Sequence, residues 1–285
     1  AQVLQNAQTI LDKVKIYEIS IAAQTAQGKM LEAIAVGREA LRLLGIDFPT
    51  EPDGALIGKA LQTLNSQLHE KQIDELADLP LMTNPQTQAA MQLLRMLPAP
   101  IFIGMPGLLP LLSSTMVSLS LSFGNAPASS VGYGMHGLVL CAFLGEIETG
   151  YAFGILALNL LERFNVPEFK SIILVMFGGW IQHRQEAMRA AILTLKSGYL
   201  AGMETGDFLY AGYSIINYFH CNFLGGVELE AWEPALADYS ATLALVKHYS
   251  AQDFLDMARQ TVQNLTEAVS QPDCLMGTAY DETVM

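Results

Sequence analysis

The stretch FLGEIETGYAFGILALNLL, residues 143–161, decides the fold. An apolar helix end meets Gly145, a turn residue, and a second helix follows at once. On that second helix Gly150, Gly154 and Ala157 recur at i, i+4 and i+7, which is one helical face. Small residues on one face let two helices lie close together. The same design stands 117 residues earlier, in GKMLEAIAVGREALRLL, residues 28–44. There Gly28 takes the turn, Ala33, Gly37 and Ala40 form the small face, and Leu41 and Leu44 fill the groove. Gly45 and Pro49 close that helix.

The offset corresponds to three units of about 39 residues. One unit further on, Gln185 occupies the turn, with Ala190, Thr194 and Ser197 behind it. Another unit places FLGG at residues 223–226, with Pro234 and Ala237 on the small face and Glu230 breaking the pattern. No run alternates with period two, so nothing signals a sheet. A helix–turn–helix period of about 40 residues predicts an all-α fold, an α-solenoid of helical hairpins. We expect a tetratricopeptide-like, right-handed superhelix forming one domain over residues 1–270, with 271–285 a frayed tail or the start of a linker. Region 46–90 is less regular: a polar helix is expected over Gly58–Leu76, and Asn84-Pro85 caps the next.

Composition fits such an array. Of 285 residues, 51% are hydrophobic and only 15% charged, so many helices should be buried on more than one face. A formal net charge of −13 argues against a nucleic-acid partner, which needs a basic stripe. Three cysteines, Cys141, Cys221 and Cys274, make no disulfide framework and suggest a reducing, cytoplasmic setting. The amphipathic start without Met reads as a piece of a longer protein. Between Arg95 and Glu146 there is no charged side chain, and Ile101–Ser122 is long enough to span a bilayer. Pro106, Pro110 and four serines interrupt it, and its flanks lack a basic cluster, so a buried helix pair is expected.

Chemistry-bearing motifs are sparse. Gly132, Gly134 and Gly137 match G-x-G-x-x-G, but no strand precedes them, so they read as helix-packing glycines. The five histidines (His69, His136, His183, His220, His248) never pair at metal-binding spacing. No G-x-S-x-G elbow is present, and Cys141 and Cys221 lie in apolar helices. The expectation is no catalytic site, no cofactor and no metal. An aromatic group is of more interest: Tyr210, Tyr213 and Asn217 share a face at i, i+3 and i+7, followed by Tyr218, Phe219 and Phe223. With Tyr133 and Trp180 in neighbouring units, they form the candidate partner or ligand surface, suited to a peptide or a helix.

The stretches SSVGYGMHGLVLCAFLGEIETGYAFGILALNLLERF and KIYEISIAAQTAQGKMLEAIAVGREALRLLGIDFP resemble the central region of very large hybrid signalling proteins of cyanobacterial type. Those proteins order a serine/threonine kinase, an AAA/NACHT-like ATPase, a helical region, a GAF domain and a sensor histidine kinase. The helical region also resembles the repeats of ATP-dependent regulators of the maltose-activator type. No Walker loop, H-R-D, D-F-G or phosphoacceptor box falls in this chain. The resemblance therefore implies a non-catalytic scaffold of a signal-transduction kinase, contacting a protein partner, another domain or a second copy. The rival expectation is a small-molecule sensor whose apolar pocket lies in the uncharged block 96–145.

Overall fold

The computed structural model describes residues 10–69, 71–267 and 271–283. Among them are thirteen α-helices and no strand beyond two isolated bridges, Leu81 with Asn125 and Met276 with Asp281. The chain divides into two compact units, 1–169 and 170–285.

The first unit holds α1 (Ile10–Ala26), α2 (Met30–Leu43), α3 (Gly54–Leu68), α4 (Pro85–Leu94), α5 (Pro98–Gly104), α6 (Leu109–Phe123), α7 (Ser129–Val139) and α8 (Ile147–Phe164). Hairpins form where the sequence places glycine. Gly28 and Gly145 both adopt φ of +74°, a conformation that costs other residues energy, and they join α1 to α2 and α7 to α8. The small face of α8 works as expected: a Cβ on Gly150 would lie 2.5 Å from Cys141 Sγ. Gly37 acts differently. Its open side receives Leu97, at the start of α5, and not the preceding helix: an added Cβ would lie 2.6 Å from a Leu97 methyl.

Within region 46–90 the polar helix expected over Gly58–Leu76 starts earlier and ends sooner. Asp53 accepts from the amides of Ala55 and Leu56 and starts α3 early. The helix stops at Leu68, and Asp74–Asp78 form a separate 3₁₀ turn. α3 packs across the chain on α6 rather than on α4, so neighbour-only stacking fails here. Asn84 does cap α4, accepting from Gln86 N and Thr87 N at 3.0 Å each. Pro98 and Pro110 sit in the first turns of α5 and α6, where their missing amide is no loss.

The uncharged block folds as α5 to α7, joined by a buried polar seam. Ser120 and Ser129 hydroxyls lie 2.8 Å apart, and Ser129 Oγ accepts from Ala126 N at 2.9 Å. Hydroxyls thus satisfy polar groups where water is excluded. Pro106–Phe123 has the length and hydropathy of a membrane span, and half of it is buried within the protein.

The second unit holds α9 (Lys170–Met176), α10 (Met188–Thr205), α11 (Phe208–Leu224), α12 (Leu229–Leu245) and α13 (Tyr249–Thr266). α10 with α11 and α12 with α13 pair closely. Ala211, Ile215, Leu236, Leu243, Leu255 and Val262 are its fully buried core. Residues 271–283, which the sequence suggested as a frayed end, are held against α13. Buried Asn264 donates to the carbonyls of Pro272 and Cys274 at 3.3 and 2.7 Å. Buried Gln260 accepts from the amides of Ala279 and Tyr280. The amide side chains supply partners that loop backbone lacks.

Candidate functional site

In the second unit α11 presents the expected face. Tyr210, Tyr213 and Asn217 are all half-buried along it. The tyrosine rings meet edge to face with centroids 5.9 Å apart. Asn217 Nδ2 donates to Tyr213 O at 2.8 Å. Asn217 Oδ1 lies over Gly179, 3.0 Å from where a Cβ would stand, so glycine is what allows the approach. Gly179 belongs to a π-helical turn, Phe177–Ile181, that follows α9 and carries half-buried Trp180. A π turn inserted after a helix is frequent near functional sites. The structure thus assembles Trp180, Tyr210, Tyr213 and Asn217 within one unit. Burial pushes the Tyr213 hydroxyl up to about 12, so it remains a neutral donor and acceptor.

His248 joins this face from 35 residues beyond Tyr213, with ring centroids 6.0 Å apart. It occupies the cap of α13, where Nδ1 accepts from Ala251 N at 3.3 Å. Nε2 then carries the proton and donates to Leu209 O at 3.3 Å. Gly212 makes the room: a Cβ there would lie 2.6 Å from Nε2. Burial holds the His248 pKa below the usual histidine range, only partly offset by the Leu209 carbonyl. Sequence spacing did not single out His248. A histidine two residues ahead of Ser250, at a helix start, was the available signal.

The rest of the aromatic group turns away from this face. Phe219 stacks on Trp232 at 5.2 Å and 9°, and Tyr218 meets Tyr239 at 6.0 Å, all toward the core. Tyr133, expected on the surface, is not a surface residue. It is fully buried in α7, stacked on Phe153 at 6.0 Å, with its hydroxyl donating to Asn125 Oδ1 at 3.1 Å. Burial pushes that hydroxyl well above its ordinary range. The motif glycines pack helices: a Cβ on Gly132 would meet Met116 Cβ at 2.7 Å.

Concavities open among the described residues of the first unit. A groove of about 390 Å³ runs between α3 and α6, lined by Leu56, Lys59, Thr63, Ser114 and Ser118. A smaller cavity of about 280 Å³ lies where the end of α3 meets α7 and α8. Its walls include Asn65, Leu68, His69 and Ile73, and its base is His136 with Leu140 and Phe153. Burial holds His136 at about 4, so the imidazole is neutral near pH 7. Among the described residues no group of three His, Cys, Asp or Glu side chains could hold a metal ion.

No family model matches the chain, and no solved structure matches it. A segment of 161 residues, 56% of the chain, is 24% identical to hybrid signal transduction histidine kinase G of Dictyostelium discoideum. The segment spans 5% of that relative. The chain is thus distantly similar to a signal-transduction histidine kinase.

Proposed function

We propose that this chain is a non-catalytic, helical-repeat region of a multidomain signal-transduction kinase of cyanobacterial type, acting through protein–protein or interdomain contacts in the cytoplasm. The observation that carries the proposal is the similarity to a hybrid histidine kinase over 56% of an all-helical chain. A tetratricopeptide-like, right-handed solenoid suits the role, because hairpins that pack on neighbours transmit strain between domains. The paired helices α1/α2, α7/α8, α10/α11 and α12/α13 support that reading.

The contact surface in this proposal is the α11 face with Trp180. It offers half-buried aromatic rings with polar tips, the side chains that anchor peptides and helices. Replacing Trp180, Tyr210 and Asn217 together by alanine in the natural polypeptide should change phosphorylation output by roughly tenfold, with helical content retained. Unchanged output would count against the proposal.

A further inference from the structure

The cavity in the first unit joins a buried polar base to a charged mouth. Its base is His136, Leu140 and Phe153, all buried, and its mouth carries Lys71, Glu146 and Thr149, all exposed. About 280 Å³ lies at the small end for ligand sites and accommodates a single ring with short substituents.

Hydrogen bonding at the base leaves one acceptor over. Ser113 Oγ donates to Pro110 O at 3.1 Å. Its single proton being used there, the hydroxyl faces His136 Nδ1, 3.4 Å away, as an acceptor. That places the imidazole proton on Nδ1 and a lone pair on Nε2. His136 is only 1% exposed, but its Nε2 is not fully enclosed: it faces the cavity and has no hydrogen-bond partner among the described residues. Nε2 is thus an acceptor open to the cavity, where a ligand donor can meet it. At the mouth, neither Lys71 nor Glu146 forms an ion pair among the described residues. Phe153 already packs against Tyr133 and, edge to face at 4.8 Å, against His136, so the base is fixed in place before anything enters.

We propose that this cavity binds a small single-ring aromatic acid carrying a hydroxyl or N–H donor on the side of the ring away from its carboxylate. The donor reaches His136 Nε2, the ring lies against Leu140 and Phe153, and the carboxylate stays at the mouth with Lys71. Glu146 disfavours a second carboxylate on the same ligand. The site supplies an input to the scaffold and stands independently of the partner surface on α11.

The test titrates para-hydroxybenzoate into the 285-residue chain with ¹⁵N-labelled histidine rings. Benzoate lacks the donor, and tyramine exchanges the carboxylate for an ammonium. Two variants at exposed positions, Lys71→Glu and Thr149→Trp, leave the core untouched, and circular dichroism checks their fold. The expected result is a saturable shift of the His136 ring signals with a dissociation constant of about 1 mM or tighter. Benzoate and tyramine should bind roughly tenfold more weakly, Lys71→Glu should weaken para-hydroxybenzoate by a similar factor, and Thr149→Trp should abolish binding. No saturable His136 shift overturns the proposal. So does equal affinity for benzoate, or binding that ignores both variants.

Discussion

Asn125 Nδ2 donates to the carbonyl of Leu76 at 2.7 Å, across 49 residues of chain. Asn125 is 2% exposed, and its other amide atom accepts from the Tyr133 hydroxyl. Its backbone takes part as well: Asn125 N donates to Pro80 O at 2.7 Å, and Asn125 O accepts from Met82 N at 2.8 Å. One residue at the head of α7 therefore fastens the irregular stretch 76–82 to the uncharged block. Asn125→Ala would remove one bond from the Leu76 carbonyl, which keeps only the 3.4 Å bond from Leu79 N, and one from the Tyr133 hydroxyl, and should cost about 2–3 kcal/mol. Tyr133→Phe, which removes one bond and little volume, should cost about 1 kcal/mol. Urea unfolding checks both; equal values for the two variants would contradict this role for Asn125.

Gly212 and His248 form a matched pair. Gly212→Ala places a methyl against the imidazole and should destabilise by about 1–3 kcal/mol. His248→Ala loses the α13 cap and the bond to Leu209 O, at about 1–2 kcal/mol. The double variant should be less destabilised than the two effects added, because the methyl no longer meets a ring. Additive costs in a double-mutant cycle would show that the two residues do not share the space.

His136 makes stability depend on pH. Its folded pKa, about 4, lies below the ordinary value of 6.5, so the folded state binds fewer protons than the unfolded state. The stabilisation is present above about pH 6.5 and is lost as pH falls toward 4. Between pH 7 and pH 5 the loss should be about 2 kcal/mol. His69, Lys71 and Glu146 line the same cavity and remain in a His136→Gln variant, which should flatten the dependence. His183, His220 and His248 are also held low by burial and will keep a residual slope of the same sign. An equal slope in the variant, measured from urea midpoints, would contradict the assignment.

Ser214 is fully buried, and its Oγ has no partner. A Cβ on Gly198 would lie 2.8 Å from that oxygen, so α10 and α11 meet there at close range. Ser214→Ala removes an unsatisfied hydroxyl and should raise stability by up to about 1 kcal/mol. A loss of that size in thermal unfolding would show that the hydroxyl has a partner.

Much of the all-helical fold was legible because turn glycines and small faces are local signals. Gly28 and Gly145 sit at hairpin turns, and Gly150 lies against Cys141, as their spacing implied. The reach of Gly37 to Leu97, and of α3 to α6, depends on packing between elements distant in sequence, which helical period does not encode. The strap 271–283 was missed because Gln260 and Asn264 look like surface residues until loop carbonyls and amides meet them. The α11 face was read from i, i+3 and i+7 spacing, which fixes direction on a helix. Tyr133 misled because periodicity says which residues share a face but not which neighbour covers it. Apolar helices α6 and α8 flank α7, and all of α7 is buried.

Docking of a signalling partner or domain on the α11 face is read out by photo-crosslinking in the natural host. A photoreactive phenylalanine replaces Tyr210 in one variant and exposed Leu245 in another. An adduct is expected from position 210, and none from 245, to a polypeptide or domain bearing protein-kinase motifs. No adduct from 210, or the same adducts from both positions, would contradict it.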